Sequence, residues 1–369
     1  MDVTADRYMR RALELGARAE GRTRPNPAVG AVVVAGQQIV GEGYHPAAGQ
    51  PHAEVFALQA AAGRTAGADL YVTLEPCSHQ GRTGPCTEAI IAAGIARVFV
   101  GTQDPNPQVA GSGIRRLRQA GIQVELGLCE KDSQRLIAPF AKHITTGLPF
   151  VILKSAVTLD GQTATSTGDS QWISNAQSRE EVHRLRDRVD AIMVGVGTVL
   201  NDDPKLTTRL PDGRDALRIV VDSQLRTPSQ AALLHLDSTA ETLIAHLANA
   251  PEDRRRCLAT GRAVLLEAAE WEGRVDLHDL LKKLGSRGVQ SILLEGGAQL
   301  NAAFLKADLV DRMMIFVAPK VIGGNGGYGI FAGQGVSCLG DAMQLQDIRI
   351  NRFGDDVLIE GEVKRCLPA

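Results

Sequence analysis

His52 and Glu54 stand in the short run Pro51-His52-Ala53-Glu54, and two cysteines follow at Pro76-Cys77 and Pro85-Cys86. One imidazole and two thiolates make three ligands, which leave a tetrahedral Zn²⁺ one open position for water, the arrangement of catalytic rather than structural zinc. Both cysteines are expected near helix N-termini, where the positive end of the macrodipole lowers the cost of a thiolate. Glu54 lies at the same loop-to-helix junction as His52, so it can face the metal-bound water without ligating. A carboxylate placed there takes a proton from water and returns it to a leaving amine. His79 offers an alternative, a closed site of two cysteines and two histidines, but Glu54 would then have no task. Cys129, Cys257, Cys338 and Cys366 read as ordinary interior thiols.

A second set of residues suits phosphate chemistry. Gly195-Val196-Gly197-Thr198 and Glu295-Gly296-Gly297 each follow an apolar run and precede a helical pattern, which puts backbone N–H groups at a turn with no Cβ in the way. Neither completes Gly-x-Gly-x-x-Gly, because Leu200 occupies the third position of the first, so a standard dinucleotide fingerprint is absent. Arg186, Asp202, Leu206 and Arg209 lie around the first junction, and arginines can grip a phosphate ester with two parallel hydrogen bonds. Arg184 and Arg188 read instead as a solvated charged face.

The elements that must hold these residues are α/β throughout. Ala28 to Ala35 and Gln38 to Gly43 predict a hairpin, and Asp69 to Leu74, Arg97 to Thr102 and Ile122 to Leu126 predict strands. Helices are expected over Asp6 to Glu20, Ala53 to Ala62, Thr87 to Ala93 and Gly113 to Ala120. The polar stretch Lys142 to Pro149 reads as a linker, dividing the chain into domains 1–146 and 147–369. Beyond it, strands are expected at Phe150 to Val157, Ala191 to Val194, Leu217 to Val221, Thr242 to Ala245, Ala263 to Leu266, Ser291 to Leu294, Arg312 to Val317 and Asp356 to Val363. Helices at Ala176 to Asp187, Leu277 to Leu284 and Ala298 to Leu305 separate several of them.

With 44% hydrophobic and 22% charged residues, the 369-residue chain has apolar surface for two or three full cores. A net charge of −2 and 4% aromatic residues argue against a nucleic-acid partner. No apolar run approaches the roughly 20 residues of a membrane span, and Met1 to Arg11 lacks the apolar core of a signal peptide. A cytoplasmic enzyme of small molecules, working as a homo-oligomer with a dimer favoured, is the expectation.

His-x-Glu followed by Pro-Cys-x-x-Cys marks zinc nucleobase deaminases, whereas here Ser78 to Pro85 separate the cysteines. The run from Val72 to Cys86, with Pro25-Asn26-Pro27-Ala28-Val29-Gly30 and His52-Ala53-Glu54, resembles the deaminase half of the bifunctional RibD family of riboflavin biosynthesis, in which a longer insert is normal. Gly84 stands where that family more often has proline. Lys154 to Gly161, Ser170 to Ser174, Asp190 to Thr198, Asp202-Asp203-Pro204 and Leu294 to Gly297 resemble its reductase half, with Thr158 in place of the usual serine. The resemblance implies an N-terminal cytidine-deaminase-like three-layer domain and a C-terminal dihydrofolate-reductase-like domain. It implies zinc on His52, Cys77 and Cys86, proton transfer by Glu54, and a pyrimidine pocket lined by Asn26 and Asp104 to Pro107. It further implies NADPH at Ala156, Trp172, Thr198, Asp202 and Gly297, and a pyrimidine ribose phosphate at Ser170, Arg186, Leu206, Arg209 and Glu295.

Overall fold

The structure, a computed structural model, describes residues 3–80, 84–259, 263–324 and 328–364. Gly81, Arg82 and Thr83 of the inter-cysteine segment, and Cys366, lie outside the described residues. The chain divides into two compact units, Met1–Leu148 and Pro149–Ala369.

The first unit runs α1 (Val3–Ala17), β1 (Gly30–Ala35), β2 (Gln38–Tyr44), α2 (Ala53–Ala60), β3 (Asp69–Leu74), α3 (Cys86–Ala92), β4 (Arg97–Thr102), α4 (Ser112–Gln119), β5 (Gln123–Leu126) and α5 (Glu130–Thr146). Its sheet has the order β2-β1-β3-β4-β5. β1 is antiparallel to both neighbours, while β3, β4 and β5 run parallel. Side chains alternate across a pleated sheet, and here both faces are buried. Ala31, Val33, Leu70, Val72, Val98 and Val100 pack with Ala53, Ala57, Ile90 and Leu117 of α2, α3 and α4. Val32, Val34, Tyr71 and Phe99 pack on the other side against Tyr8, Met9, Ala12 and Leu15 of α1. The result is a helix–sheet–helix sandwich.

Two glycines set the position of α2. A Cβ on Gly43 would stand 2.4 Å from the Ala53 carbonyl oxygen, and one on Gly41 would stand 2.1 Å from that of Ala57. Because β2 carries hydrogen atoms at both places, the helix backbone lies directly on the strand, and its first turn, with Glu54, is fixed in depth.

One expectation fails in this unit. The stretch from Lys142, read as linker, begins inside α5, which continues to Thr146 and ends at Gly147 with φ 73°. Ser133 and Ile137 are buried while most of the remaining helix is polar, so the apolar signal is thin although the helix is long. Pro139 within it further resembles a break.

The second unit contains β6 (Phe150–Thr158), α6 (Ala176–Arg188), β7 (Ala191–Gly195), α7 (Val196–Asp202), β8 (Leu217–Val221), β9 (Thr242–His246), α8 (Glu252–Ala259), β10 (Ala263–Glu267), β11 (Glu270–Trp271), β12 (Arg274–Val275), α9 (Leu277–Ser286), β13 (Ser291–Leu294), α10 (Ala298–Lys306), β14 (Arg312–Ala318), β15 (Leu345–Phe353) and β16 (Asp356–Val363). The large sheet has the order β10-β9-β8-β7-β13-β6-β14-β16-β15. It is parallel from β10 to β14 and antiparallel at β16 and β15. β11 and β12 form a separate short ribbon. Sequence reading missed α7, α8, β11, β12 and β15. Only Leu258 of α8 is buried, and no residue of the edge strand β15 is, so neither presents the apolar periodicity by which such elements are recognised.

Candidate functional site

His52 caps the N-terminus of α2 in extended conformation (φ −77°, ψ 167°), and Cys86 is the first residue of α3 behind Pro85. Cys77 follows β3 in the irregular segment Glu75-Pro76-Cys77. These three junctions bring His52 Nδ1 to 3.2 Å from Cys86 Sγ and 3.6 Å from Cys77 Sγ. The Cys86 backbone N–H donates to Cys77 Sγ at 3.4 Å, and that of Thr87 to the Cys77 carbonyl at 3.1 Å. The three ligand atoms lie within 4.8 Å of one another. Bond lengths near 2.0 Å to nitrogen and 2.3 Å to sulfur put tetrahedral N and S ligands about 3.5 Å apart, so this donor set fits Zn²⁺. Neither His79 nor Glu54 belongs to the cluster.

The electrostatics suit proton transfer. Hydrogen bonding to the Cys86 thiol, aided by His52, holds the Cys77 thiol down to about 4. The same contact pushes Cys86 up. A hydrogen bond with Cys77 raises His52. Glu54 is 3% exposed, and burial, with the Cys77 charge adding to it, pushes its carboxyl up to about 7. A carboxyl group poised near neutrality can both accept and return a proton.

Further residues frame this centre. Asn26 Nδ2 lies 3.0 Å from His45 Nε2, and His45 Nδ1 lies 3.0 Å from the Pro51 carbonyl oxygen. The His45 and His52 rings meet edge to face at 5.2 Å. Glu75 is buried, and its carboxylate accepts the backbone N–H groups of Asp104 (3.2 Å), Gly111 (2.9 Å), Gly113 (2.8 Å) and Ile114 (3.2 Å). A Cβ on Gly113 would stand 1.9 Å from the Pro76 carbonyl oxygen. The segment with Asp104 and Asn106 is thereby tied to the turn that carries Cys77. Sequence reasoning missed His45 and Glu75. Glu75 had a signal, a carboxylate wedged between the apolar end of a buried strand and Pro76.

In the second unit, Glu295 follows β13, and its N–H donates to Met193 of β7 at 3.0 Å. The Arg186 guanidinium forks onto its carboxylate at 2.7 and 3.0 Å and donates to the Thr207 carbonyl at 3.1 Å. Lys154 of β6 lies 3.7 Å from the same carboxylate. The Arg186 and Glu295 side chains are 14% and 12% exposed. Burial opposes the charge on Glu295, but Arg186 and Lys154 hold the carboxyl down to about 2. Thus Arg186, Glu295 and the Leu206–Arg209 segment are brought together, with Leu206 buried and Arg209 exposed. Thr198 Oγ1 would lie 3.5 Å from a Cβ on Gly297, which joins the two glycine turns. Trp172 is 58% exposed beneath the Arg179 guanidinium, 4.6 Å from the ring centre. Ala156 is half-buried on β6, Ser170 is half-buried ahead of Trp172, and Asp202 is exposed at the end of α7. Among the described residues no hydrogen bond or ion pair links these last four to Arg186 or Glu295. Lys154 was missed as a site residue, although a cation interrupting the apolar run of β6 was a readable signal.

The metal donors with their buried acid, placed at the ends of a mixed three-layer sheet, put the first unit in the class of zinc-dependent cytidine-type deaminases. The family described as "Cytidine and deoxycytidylate deaminase zinc-binding region" matches residues 3–102, and "RibD C-terminal domain" matches residues 149–359. Riboflavin biosynthesis protein RibD of Escherichia coli (strain K12) is 43% identical over 366 residues, covering 95% of this chain and 97% of that one. Its counterpart from Bacillus amyloliquefaciens is 42% identical over 351 residues, covering 95% and 94%. Acinetobacter baumannii RibD superposes with a TM-score of 0.82 at 35% identity, covering 98% of this chain and 99% of the other. A Thermotoga maritima structure described as a diaminohydroxyphosphoribosylaminopyrimidine deaminase/5-amino-6-(5-phosphoribosylamino)uracil reductase gives the same TM-score, identity and coverage. The chain belongs to the RibD family of bifunctional riboflavin biosynthesis enzymes, with a deaminase half and a dihydrofolate-reductase-like reductase half.

Proposed function

We propose that the first unit hydrolyses 2,5-diamino-6-ribosylamino-4(3H)-pyrimidinone 5′-phosphate to the aminouracil and ammonia. The second unit then reduces the ribosyl group of that product to a ribityl chain with NADPH. The observation that carries the reading is Glu54, a buried carboxyl held near neutrality beside a three-donor cluster. His52, Cys77 and Cys86 hold the zinc, which when bound supplies Lewis-acid activation of water. Glu54 accepts the proton given up by water and delivers it to the departing amine. Asn26 and the Asp104 to Pro107 segment face the pyrimidine.

In the second unit NADPH supplies the reducing equivalents, and the chain supplies orientation. Ala156, Trp172, Thr198, Asp202 and Gly297 form the cofactor side; the exposed Trp172 indole offers the nicotinamide an apolar face. Ser170, Arg186, Leu206, Arg209 and Glu295 form the substrate side. Arg186 acts there by joining Glu295 to the Thr207 carbonyl, which leaves the exposed Arg209 for the phosphate. The two activities divide between residues 1–146 and 147–369, and the enzyme is cytoplasmic. No helix among the described residues is long and apolar enough to cross a membrane. It works as a homodimer, for which the outer strand β15, with exposed Ile348 and Ile350, supplies a surface.

The test is ammonia release and NADPH oxidation by the full chain given the pyrimidine phosphate. Ammonia should appear without NADPH and cease when zinc is chelated, whereas oxidation of NADPH by the preformed aminouracil should survive chelation. Absence of ammonia from the zinc-loaded chain overturns the reading of the first unit.

A further inference from the structure

Three polar groups beside the metal donors are linked in an order that fixes their proton positions. His45 Nδ1 faces the Pro51 carbonyl at 3.0 Å, and a carbonyl oxygen can only accept, so Nδ1 must carry a proton. At the other ring nitrogen, Nε2, stands Asn26 Nδ2, an amide nitrogen that can only donate. Nε2 is then an acceptor. The Asn26 side chain lies 3.0 Å away and satisfies it only by presenting its NH₂ end. Asn26 Oδ1 is thereby turned away from His45, and among the described residues it has no hydrogen-bond partner. The His45 ring also meets the His52 ring edge-on at 5.2 Å, which places this relay against the metal donors.

We propose that His45 is a positioning residue whose tautomer, set by the Pro51 carbonyl, orients the Asn26 amide so that Oδ1 selects a ligand presenting an N–H donor. The inference rests on the pyrimidine reading above and deepens it. A ring N–H or an exocyclic amine of an aminopyrimidinone satisfies Oδ1. A ligand offering only a ring nitrogen lone pair or a carbonyl at that place meets oxygen against acceptor and loses a hydrogen bond. The opposite amide orientation would reverse that preference, so the recognition rule is written in a contact that never touches substrate.

The decisive measurement is the two-bond ¹H–¹⁵N correlation of imidazoles in the zinc-loaded full chain carrying ¹⁵N-histidine, with His45→Phe identifying the resonances. A protonated Nδ1 and an unprotonated Nε2 are expected. A proton on Nε2, alone or together with one on Nδ1, overturns the proposal. His45→Phe keeps the ring but loses both nitrogens, so KM for the pyrimidine phosphate should rise on the order of tenfold with a smaller fall in kcat. Zinc content and NADPH oxidation with the aminouracil should stay at wild-type values. An unchanged KM in an active His45→Phe enzyme also overturns it. Should the wild type release no ammonia, the pyrimidine reading fails, and the wild-type spectrum still decides the tautomer.

Discussion

At the scale of single residues, the two carboxylates proposed above for the two sites, Glu54 and Glu295, sit in opposite settings. Glu54, which has no Lys or Arg ion pair among the described residues, is pushed up to about 7 by burial, whereas Glu295 is clamped by Arg186 and Lys154 and held down to about 2. A group that must move protons needs the first setting, and one that must present a fixed negative charge needs the second. Glu54→Gln keeps the shape and removes the proton, so zinc should remain near one per chain while deaminase kcat falls by roughly 10² or more. Near wild-type ammonia release in that variant would remove Glu54 from the proton path. Arg209→Ala should raise KM for the pyrimidine phosphate severalfold and leave that of NADPH unchanged, because only a remote phosphate contact is lost. Arg186→Ala leaves Glu295 buried with Lys154 alone and should destabilise the reductase unit by about 3 kcal/mol, read as a lowered melting transition. If Arg209→Ala raises the NADPH KM instead, the substrate and cofactor sides are exchanged. The cluster of His52, Cys77 and Cys86 was legible because His and Cys at such spacing have few other reasons to recur. His45 was not, because its partners, the Pro51 carbonyl and the Asn26 amide, are brought close only by folding, whereas Glu75 and Lys154 left a signal as charges set at or within apolar strands.

Elements were readable in proportion to how regularly they bury apolar residues. β3 and β4, with every second side chain in each core, match their expected limits, and the strands of the second unit that were expected, β6 to β10, β13, β14 and β16, begin where predicted. α8 and β15 were invisible because they lie on the surface and bury almost nothing, and α5 was not anticipated because few of its residues are buried and its polar end resembled a linker. The same packing logic assigns catalytic consequence to a residue far from any chemistry. Gly43 permits the Ala53 carbonyl to approach, so Gly43→Ala must push the first turn of α2, with His52 and Glu54, off the sheet. A destabilisation of about 1–3 kcal/mol is expected, with loss of zinc occupancy and of deamination. Reductase kinetics of the same protein should be unaltered. Full zinc and wild-type ammonia release from Gly43→Ala would mean that α2 is held by other contacts.

For the whole molecule, the question is whether the two activities need each other's framework. Each large sheet draws all its strands from one unit, β1 to β5 from the first and the nine-stranded sheet from the second. Each unit also has its own buried carboxylate and the elements that hold it. A chain divided after Leu148 should therefore give a 1–148 fragment that binds zinc and deaminates, and a 149–369 fragment that oxidises NADPH with the aminouracil. The cut chosen matters to a single hydrogen bond. The Gly147 N–H donates to the His143 carbonyl at 2.8 Å in the left-handed turn that ends α5, so division after Thr146 strips this cap and should fray the last turn. Melting of 1–146 and 1–148 side by side measures that cost, with the longer fragment expected to melt higher. Paired assays of 1–148 and 149–369 then test the division itself. Two unfolded fragments would show that neither sheet is sufficient for its own core, whereas two folded fragments with full activity would place each reaction in one unit.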